Sequence, residues 1–380
     1  MRTTLNQLAA RSVLEFSDGY RTRKDELDQT GFRIVRAGDL HSGRAHFDGP
    51  DFVSATMARG IGRKAVQPGD VALTTKGTVG RAALVGDVPE PAVYSPQICY
   101  FRVLDDSVLN SQFLLCWFRS EGFWSQASYL MSATDMAPYL SLKDIGNLDV
   151  DLPDLATQTA IADVLGALDD KIAANERVLD QNLRLRSGIF ESLAKPLSVP
   201  MSNLARFVNG RNFTKDATSS GRPVIRIAEL NNGVTGSTVW NDVEASDDNV
   251  ASAGDILFAW SGSLTVTRWS GAEGLVNQHI FKVLPNGLPD WLVYHLLLAK
   301  LADYKSIAAD KATTMGHIQR GHLDEPVPTP TLEGAARVDR TMSALWSAEL
   351  SLRSENSRLA ATRDALLPEL MSGRLAVKSI

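Results

Sequence analysis

Residues 155–195 read LATQTAIADVLGALDDKIAANERVLDQNLRLRSGIFESLAK. Apolar side chains recur there at alternating four- and three-residue steps through Ile161, Leu165, Leu168, Ile172, Leu179, Ile189 and Leu193, the spacing of a coiled-coil seam. The seam returns at Val338, Met342, Leu345, Leu352, Leu359, Leu366 and Leu370, and matched positions (338 − 161, 345 − 168, 366 − 189, 370 − 193) lie 177 residues apart each time. The chain is a tandem repeat.

Each helix spans about 40 residues, about 60 Å at 1.5 Å per residue, which is too long for one globular core. The expected fold class is α+β: two homologous mixed α/β domains separated by two long antiparallel coiled-coil helices, with an internal pseudo-twofold repeat. The expected boundaries are residues 1–152 for the first domain, 153–197 for the central helix, 198–328 for the second domain and 329–376 for the distal helix. Polar residues interrupt the seam at Asn175, Asn182 and Arg186 and at Glu349, Asn356 and Arg363. Buried polar groups would fix register, and the expected register sets Asn182 opposite Asn356 and, by the repeat, Leu179 opposite Leu359. The alternative is that these groups lie at the seam's edge in water.

The repeat extends beyond the helices. A short amphipathic start, a turn at Ser17-Asp18-Gly19 and strand-like Gly31-Phe32-Arg33-Ile34-Val35-Arg36 are mirrored by Leu204, Val208-Asn209-Gly210 and Gly221-Arg222-Pro223-Val224-Ile225-Arg226. Pro68-Gly69-Asp70-Val71-Ala72-Leu73 matches Ala253-Gly254-Asp255-Ile256-Leu257-Phe258. Each feeds a glycine loop, around Lys76 in one copy and Ser261 in the other. Further strands pair Ser95-Pro96-Gln97-Ile98 with Val276-Asn277-Gln278-His279, and Phe101-Arg102-Val103 with Phe281-Lys282-Val283. Apolar helices over 111–120 and 290–301 read as core. Each copy then has a hydroxyl-rich loop, Ser132 to Met136 or Lys311 to His317, before its proline and long helix.

With 380 residues, 44% hydrophobic and 22% charged, the chain can bury real cores. Cys99 and Cys116 show no metal or disulfide spacing, so a reducing, cytoplasmic setting is expected. No signal segment or membrane span is expected. A net charge of −5 argues against a generally sticky nucleic-acid binder. The basic clusters Arg59, Arg63, Lys64 and Arg21, Arg23, Lys24 read first as solvated surface.

Catalytic signatures are missing. The loop Thr74 to Arg81 lacks the order of a phosphate-binding Walker loop, and no methyl-transfer tetrapeptide, dinucleotide fingerprint, zinc-protease motif or nucleophile elbow occurs. The six histidines fit no ligand or triad spacing; His41 and His46 read as surface. A duplicated domain whose loops differ on a matched skeleton is suited to reading two different half-sites of duplex DNA. The candidate contacts are Arg36, Lys76, Thr78, Arg81 and Thr134 in the first copy, and Arg226, Trp260, Ser261, Thr313, Thr314 and His317 in the second. Arg36 and Arg226 can equally cap a sheet edge.

The chain resembles the specificity subunit of Type I restriction-modification systems over essentially its whole length. The residues that carry the resemblance are 204–230 (LARFVNGRNFTKDATSSGRPVIRIAEL), Leu152-Pro153 followed by Gln158-Thr159-Ala160-Ile161-Ala162, Leu168-Asp169-Asp170-Lys171-Ile172, and Leu366-Leu367-Pro368-Glu369-Leu370-Met371-Ser372-Gly373. The resemblance implies two target recognition domains and a helical ruler. It also implies double-stranded DNA, two modification subunits and, through them, motor-nuclease restriction subunits as partners. S-adenosylmethionine is then expected in the modification subunits, with no cofactor and no catalysis in this chain. The chain departs from the regular pattern at Arg337 to Val338, where the usual Gln-x-x-Ile is Gly334-Ala335-Ala336-Arg337-Val338, so the distal helix is expected to pack less typically there. Alternatives are a specificity-like subunit of another phage-defence system, a self-contained methyltransferase or nuclease, and a coiled-coil structural adaptor.

Overall fold

The computed structural model describes residues 1–132, 138–310 and 316–377. It divides into two compact units, Met1–Ala174 with Arg358–Ile380, and Asn175–Ser357. Each unit is a mixed α/β head packed on segments of two long helices, Leu155–Ser192 and Leu332–Met371.

The first head is built on β1 (Leu14–Asp18), β2 (Val71–Thr74), β3 (Ala82–Leu84) and β4 (Ile98–Val103), in the order β1-β4-β2-β3 and extended by two short strands. The inner strands read as nearly continuous apolar runs because both faces are covered. Val71, Leu73, Cys99 and Phe101 pack into a core with Phe113, Trp117 and Phe118 of helix Ser111–Arg119. Ala72, Ile98 and Tyr100 face the other way, into a core with Val35 and Tyr94. Residue alternation along a strand sends successive side chains into the two layers. Both cysteines are buried free thiols, and burial pushes the Cys116 thiol up to about 12.

The second head repeats this plan with β5 (Ala205–Asn209), β6 (Ile256–Ala259), β7 (Thr265–Arg268) and β8 (Ile280–Pro285), in the order β5-β8-β6-β7. Phe258, Phe281 and Val283 enter the core beneath helix Asp290–Asp310, while Leu257, Ala259 and Ile280 enter a smaller one. In each head a parallel pair stands beside the main sheet, Phe32–Val35 with Ala92–Tyr94 and Arg222–Ile225 with Gly274–Val276. A two-stranded ribbon precedes each long helix, Arg2–Thr4 with Asp149–Asp151 and Leu197–Pro200 with Pro326–Thr329. The α+β duplicated fold class is therefore the observed one.

Two details differ from expectation. Ser17 and Asp18 belong to edge strand β1 rather than to a turn, because the chain runs straight until Gly19. The strand match also shifts. Gly19 N–H donates to Ile98 O and Gly210 N–H to Ile280 O, each at 2.9 Å, so Ile98 corresponds to Ile280 and Phe101 to Val283. A Cβ on Gly19 would lie 2.1 Å from Ser95 O, and one on Gly210 2.2 Å from Asn277 O. That close backbone approach fixes the register. Phe101 and Phe281 matched in sequence through identity alone.

The seam residues Ile161, Leu165, Leu179 and Met342 are buried, and Leu168, Ile172, Val338, Leu345, Leu352 and Leu359 are half-buried. In the first unit Ile161 and Leu165 share a core with Leu366 and Leu370, and Arg363 Nη1 donates to Asp169 Oδ1 at 2.9 Å. In the second unit the helix segments are antiparallel, with Asn175 Nδ2 donating to Asn356 Oδ1 at 2.8 Å and Asn182 Nδ2 to Leu345 O at 2.9 Å. The expected Asn182–Asn356 pairing is thus one heptad out, and the Leu179–Leu359 pairing that followed from it falls with it. The partner of Asn356 is Asn175, which lets Arg186 reach Glu349. Asn175, Asn182, Arg186 and Glu349 are buried, so these polar groups are inside the seam rather than at its wet edge.

The departure at Ala335 has a structural counterpart. In the first unit buried Gln158 accepts from Asn110 N–H and donates to Val108 O and Pro153 O, all at 3.0 Å, tying the long helix to the head. Its repeat counterpart is Ala335 (335 − 158 = 177), which has no such reach. The second unit makes the tie elsewhere, from Trp291 Nε1 to Asp339 Oδ1 at 2.7 Å.

Candidate nucleic-acid interface

The two glycine loops leave the same end of matched strands and dock in the same way. In the first head Thr75 N–H donates to Gln97 O at 2.8 Å and Leu140 N–H to Thr75 O at 3.0 Å, so Lys76 forms a β-bridge with Tyr139. In the second, Trp260 N–H donates to His279 O at 3.1 Å and Ile318 N–H to Trp260 O at 3.0 Å, and Ser261 bridges His317. One backbone frame therefore presents Lys76 and Tyr139 in one head and Ser261 and His317 in the other.

The side chains then diverge. Lys76 Nζ lies over the Tyr139 ring at 5.0 Å, a cation–π contact that leaves Tyr139 43% exposed. Thr78 and Arg81 are exposed; Arg81 N–H donates to Thr74 Oγ1 at 2.9 Å, which folds the loop back on its own strand. Gly77 and Gly80 adopt φ of +75° and +93°, and Trp124 occupies the space a Gly80 side chain would need. In the second head Ser261 is buried and its Oγ lies 2.9 Å from His279 Nδ1, while Trp260 Nε1 donates to Asn209 Oδ1 at 3.0 Å. The Trp260 ring sits 5.9 Å from His279 and 6.4 Å from exposed His317. The first head offers a cation and an exposed aromatic ring; the second offers an indole and an exposed imidazole, with the Ser261 hydroxyl held inward on His279.

Arg36 and Arg226 occupy matched positions before short helical turns and hold structural partners. Arg36 Nε and Nη2 donate to Asp51 Oδ2 at 2.9 and 2.6 Å. Arg226 donates through Nε and Nη2 to the two oxygens of buried Glu229 at 3.0 and 2.7 Å. Burial would raise the Glu229 carboxyl, but the hydrogen bonds from Arg226 and Thr238 outweigh it and hold the group below the usual carboxylate range. Thr134, Thr313 and Thr314 lie outside the described residues.

Tyr139 was not singled out in the sequence. Its signal was the repeat itself, since Tyr139-Leu140 takes the place of His317-Ile318 once the loops are matched. Each head also has a charge pair at the start of its first inner strand: Arg102 Nε donates to buried Asp70 Oδ1 at 2.7 Å, and Lys282 Nζ lies 3.0 Å from half-buried Asp255 Oδ2. Tyr94 donates to Asp70 at 2.9 Å, and burial raises its phenol well above the ordinary range. Among the described residues no group of three or more His, Cys, Asp or Glu is placed to hold a metal. No helix among them is long and apolar enough to cross a membrane.

Residues 9–182 match the family of the Type I restriction modification DNA specificity domain. The specificity subunit of the Type I restriction enzyme MjaVIII from Methanocaldococcus jannaschii is 22% identical over 187 residues, which cover 48% of this chain and 44% of that protein. The chain thus matches less than half the length of this relative. Among solved structures, the Type I restriction-modification S subunit from M. genitalium superposes with a TM-score of 0.59 at 14% identity, covering 97% of this chain and 95% of that one. The HsdS subunit from Thermoanaerobacter tengcongensis aligns over 99% and 97% of the two chains at 16% identity, with a TM-score of 0.38. The resemblance read from the sequence is borne out by these matches, the family match falling on residues 9–182.

Proposed function

We propose that this chain is the sequence-specific DNA-reading subunit of a Type I restriction-modification assembly, each head reading one half of a bipartite, asymmetric target in double-stranded DNA. The observation that carries this reading is the matched loop frame with unlike side chains, Lys76 and Tyr139 against Ser261 and His317. Lysine is suited to guanine, and hydroxyl or imidazole groups to other base edges, so two heads built alike would read unlike half-sites. Lys76, Thr78 and Arg81 contact DNA in the first head and Trp260, Ser261 and His317 in the second, with the Thr134, Thr313 and Thr314 loops beside them. Arg36 and Arg226 act by holding their loops through Asp51 and Glu229.

The chain itself is non-catalytic and cytoplasmic. Two modification subunits dock on it and carry S-adenosylmethionine and the methyl-transfer chemistry, and restriction subunits join through them. The domains that do this are residues 1–152 and 198–328, spaced by the helices in 153–197 and 329–376. Selection from a pool of random duplexes by the chain in complex with a modification subunit tests the reading: it enriches two short unlike elements at fixed separation. Enrichment of no motif by a stable complex would favour the structural-adaptor alternative.

A further inference from the structure

The segment leading into the first inner strand of each head has opposite charge in the two heads. Matched through Asp70 and Asp255 (255 − 70 = 185), residues 57–64 read MARGIGRK and residues 242–249 read DVEASDDN. The structural match is direct, since Ala65 bridges Val93 in one head and Val250 pairs with Leu275 in the other. Arg59 therefore corresponds to Glu244 and Arg63 to Asp248.

The inversion extends to the edge strand that each segment touches. Arg63 Nη1 donates to Glu15 Oε2 on β1 at 3.2 Å, whereas on β5 Arg206 Nη1 donates to Asp248 Oδ2 at 2.7 Å. Glu15 and Arg206 are counterparts, at the same separation as Gly19 and Gly210 (206 − 15 and 210 − 19, both 191). The same bridge is made with its signs exchanged. Counting residues 15–26 with 57–64, the first head has six basic and four acidic groups; residues 206–217 with 242–249 have three basic and five acidic.

The basic segment lies beside the loop end of the sheet. Lys64 Nζ donates to Asp18 Oδ1 and Gly19 O, both at 3.0 Å, at the end of β1. There Gly19 N–H meets Ile98 O, next to the Gln97 carbonyl that anchors the root of the Lys76 loop. Tyr20 packs with Met57 and Ile61, so exposed Arg21, Arg23 and Lys24 emerge alongside exposed Arg59 and Arg63. The Arg63–Glu15 contact, with the arginine side chain 85% exposed, is weak enough to exchange for a phosphate.

We propose that this shoulder of the first head, centred on Arg59 and Arg63 with Arg21, Arg23 and Lys24, anchors the phosphate backbone of DNA beside the half-site that head reads, and that the second head has no such anchor. The inference rests on the DNA-reading function proposed above. Phosphate contacts add affinity without base preference and steepen its dependence on salt, by about 0.9 in the log–log slope per phosphate neutralised.

The test is the salt dependence of binding of the full chain to a fluorescent duplex of random sequence. Arg59→Gln with Arg63→Gln lowers the slope by about 1 to 2, Arg59→Lys with Arg63→Lys keeps it, and Glu244→Arg with Asp247→Arg raises it by a similar amount. An unchanged slope in the glutamine variant, with wild-type binding intact, would overturn the anchor while leaving the DNA-reading function standing. No gain in the second-head variant would overturn the claim that its acidic shoulder is what withholds an anchor there. Failure of the wild-type chain to bind DNA at the lowest salt would remove the anchor together with the function it rests on.

Discussion

Arg186 Nη2 donates to Glu349 Oε2 at 2.6 Å, with both side chains essentially out of water. Arg353 Nε donates to the other carboxylate oxygen at 2.9 Å, and the Arg186 guanidinium lies 5.0 Å from the centre of the Trp346 ring. The repeat keeps the arginine and moves its acid. Arg363 is the counterpart of Arg186 (363 − 186 = 177), yet it pairs with Asp169, whose own counterpart is Trp346 (346 − 169 = 177). In the second unit the carboxylate has moved three residues along the helix to Glu349, and an indole has taken the vacated place.

Breaking a buried pair from one side leaves an uncompensated charge, whereas replacing both partners removes the desolvation cost as well. Glu349→Ala is therefore expected to destabilise the chain by about 3–5 kcal/mol, and Arg186→Met combined with Glu349→Leu to be near neutral. Denaturant unfolding of the single and double variants checks this; a loss below about 1 kcal/mol for Glu349→Ala would show that the pair is hydrated.

Gln158 satisfies three backbone groups that its repeat counterpart Ala335 leaves to other means. Gln158→Ala is expected to cost about 2–3 kcal/mol, because the Asn110 N–H and two carbonyls lose their partner. Thermal unfolding measures the loss, and increased hydrogen exchange at Asn110 would localise it. A neutral variant would mean that water replaces the amide fully.

His295 is buried against Phe190 at 5.2 Å, and its Nε2 is buried without a hydrogen bond. Burial, reinforced by the nearby Arg186 charge, lowers its pKa from 6.5 to about 4. A base with a lowered folded-state pKa stays neutral in the fold while the unfolded chain takes up a proton. Its contribution is full above about pH 6.5 and is lost as the pH falls towards about 4, on the order of 3 kcal/mol in total. His295→Phe is expected to flatten the stability profile across that window, read from unfolding midpoints at several pH values. An equally steep profile in the variant would assign the slope to other groups.

The long helices and the duplicated skeleton were legible because a seven-residue seam and a fixed separation of 177 residues are periodic signals that survive divergence. Helix register was not, because the polar residues at 175, 182, 349 and 356 allow more than one antiparallel pairing, and the choice depends on how Arg186 is neutralised in three dimensions. Strand β1 read as a turn because Ser17, Asp18 and Gly19 are turn formers; Gly19 is needed for close approach to Ser95 instead. Arg36 and Arg226 stood out as basic residues after a strand, and only side-chain geometry reveals that Asp51 and Glu229 already hold them. Tyr139 was hidden because the two loops meet in space across more than 60 residues of chain.

The most direct test of the two-head account is a map of methyladenine in the DNA of cells that express the chain with a modification subunit, compared between the wild type and Lys76→Ala with Arg81→Ala. The account predicts a split motif with a fixed gap in the wild type, and in the variant a motif relaxed at about 1–3 kcal/mol per lost base contact in one half only, with the other half and the gap unchanged. A wild-type map with no split motif, or a variant in which both halves relax together, would contradict it.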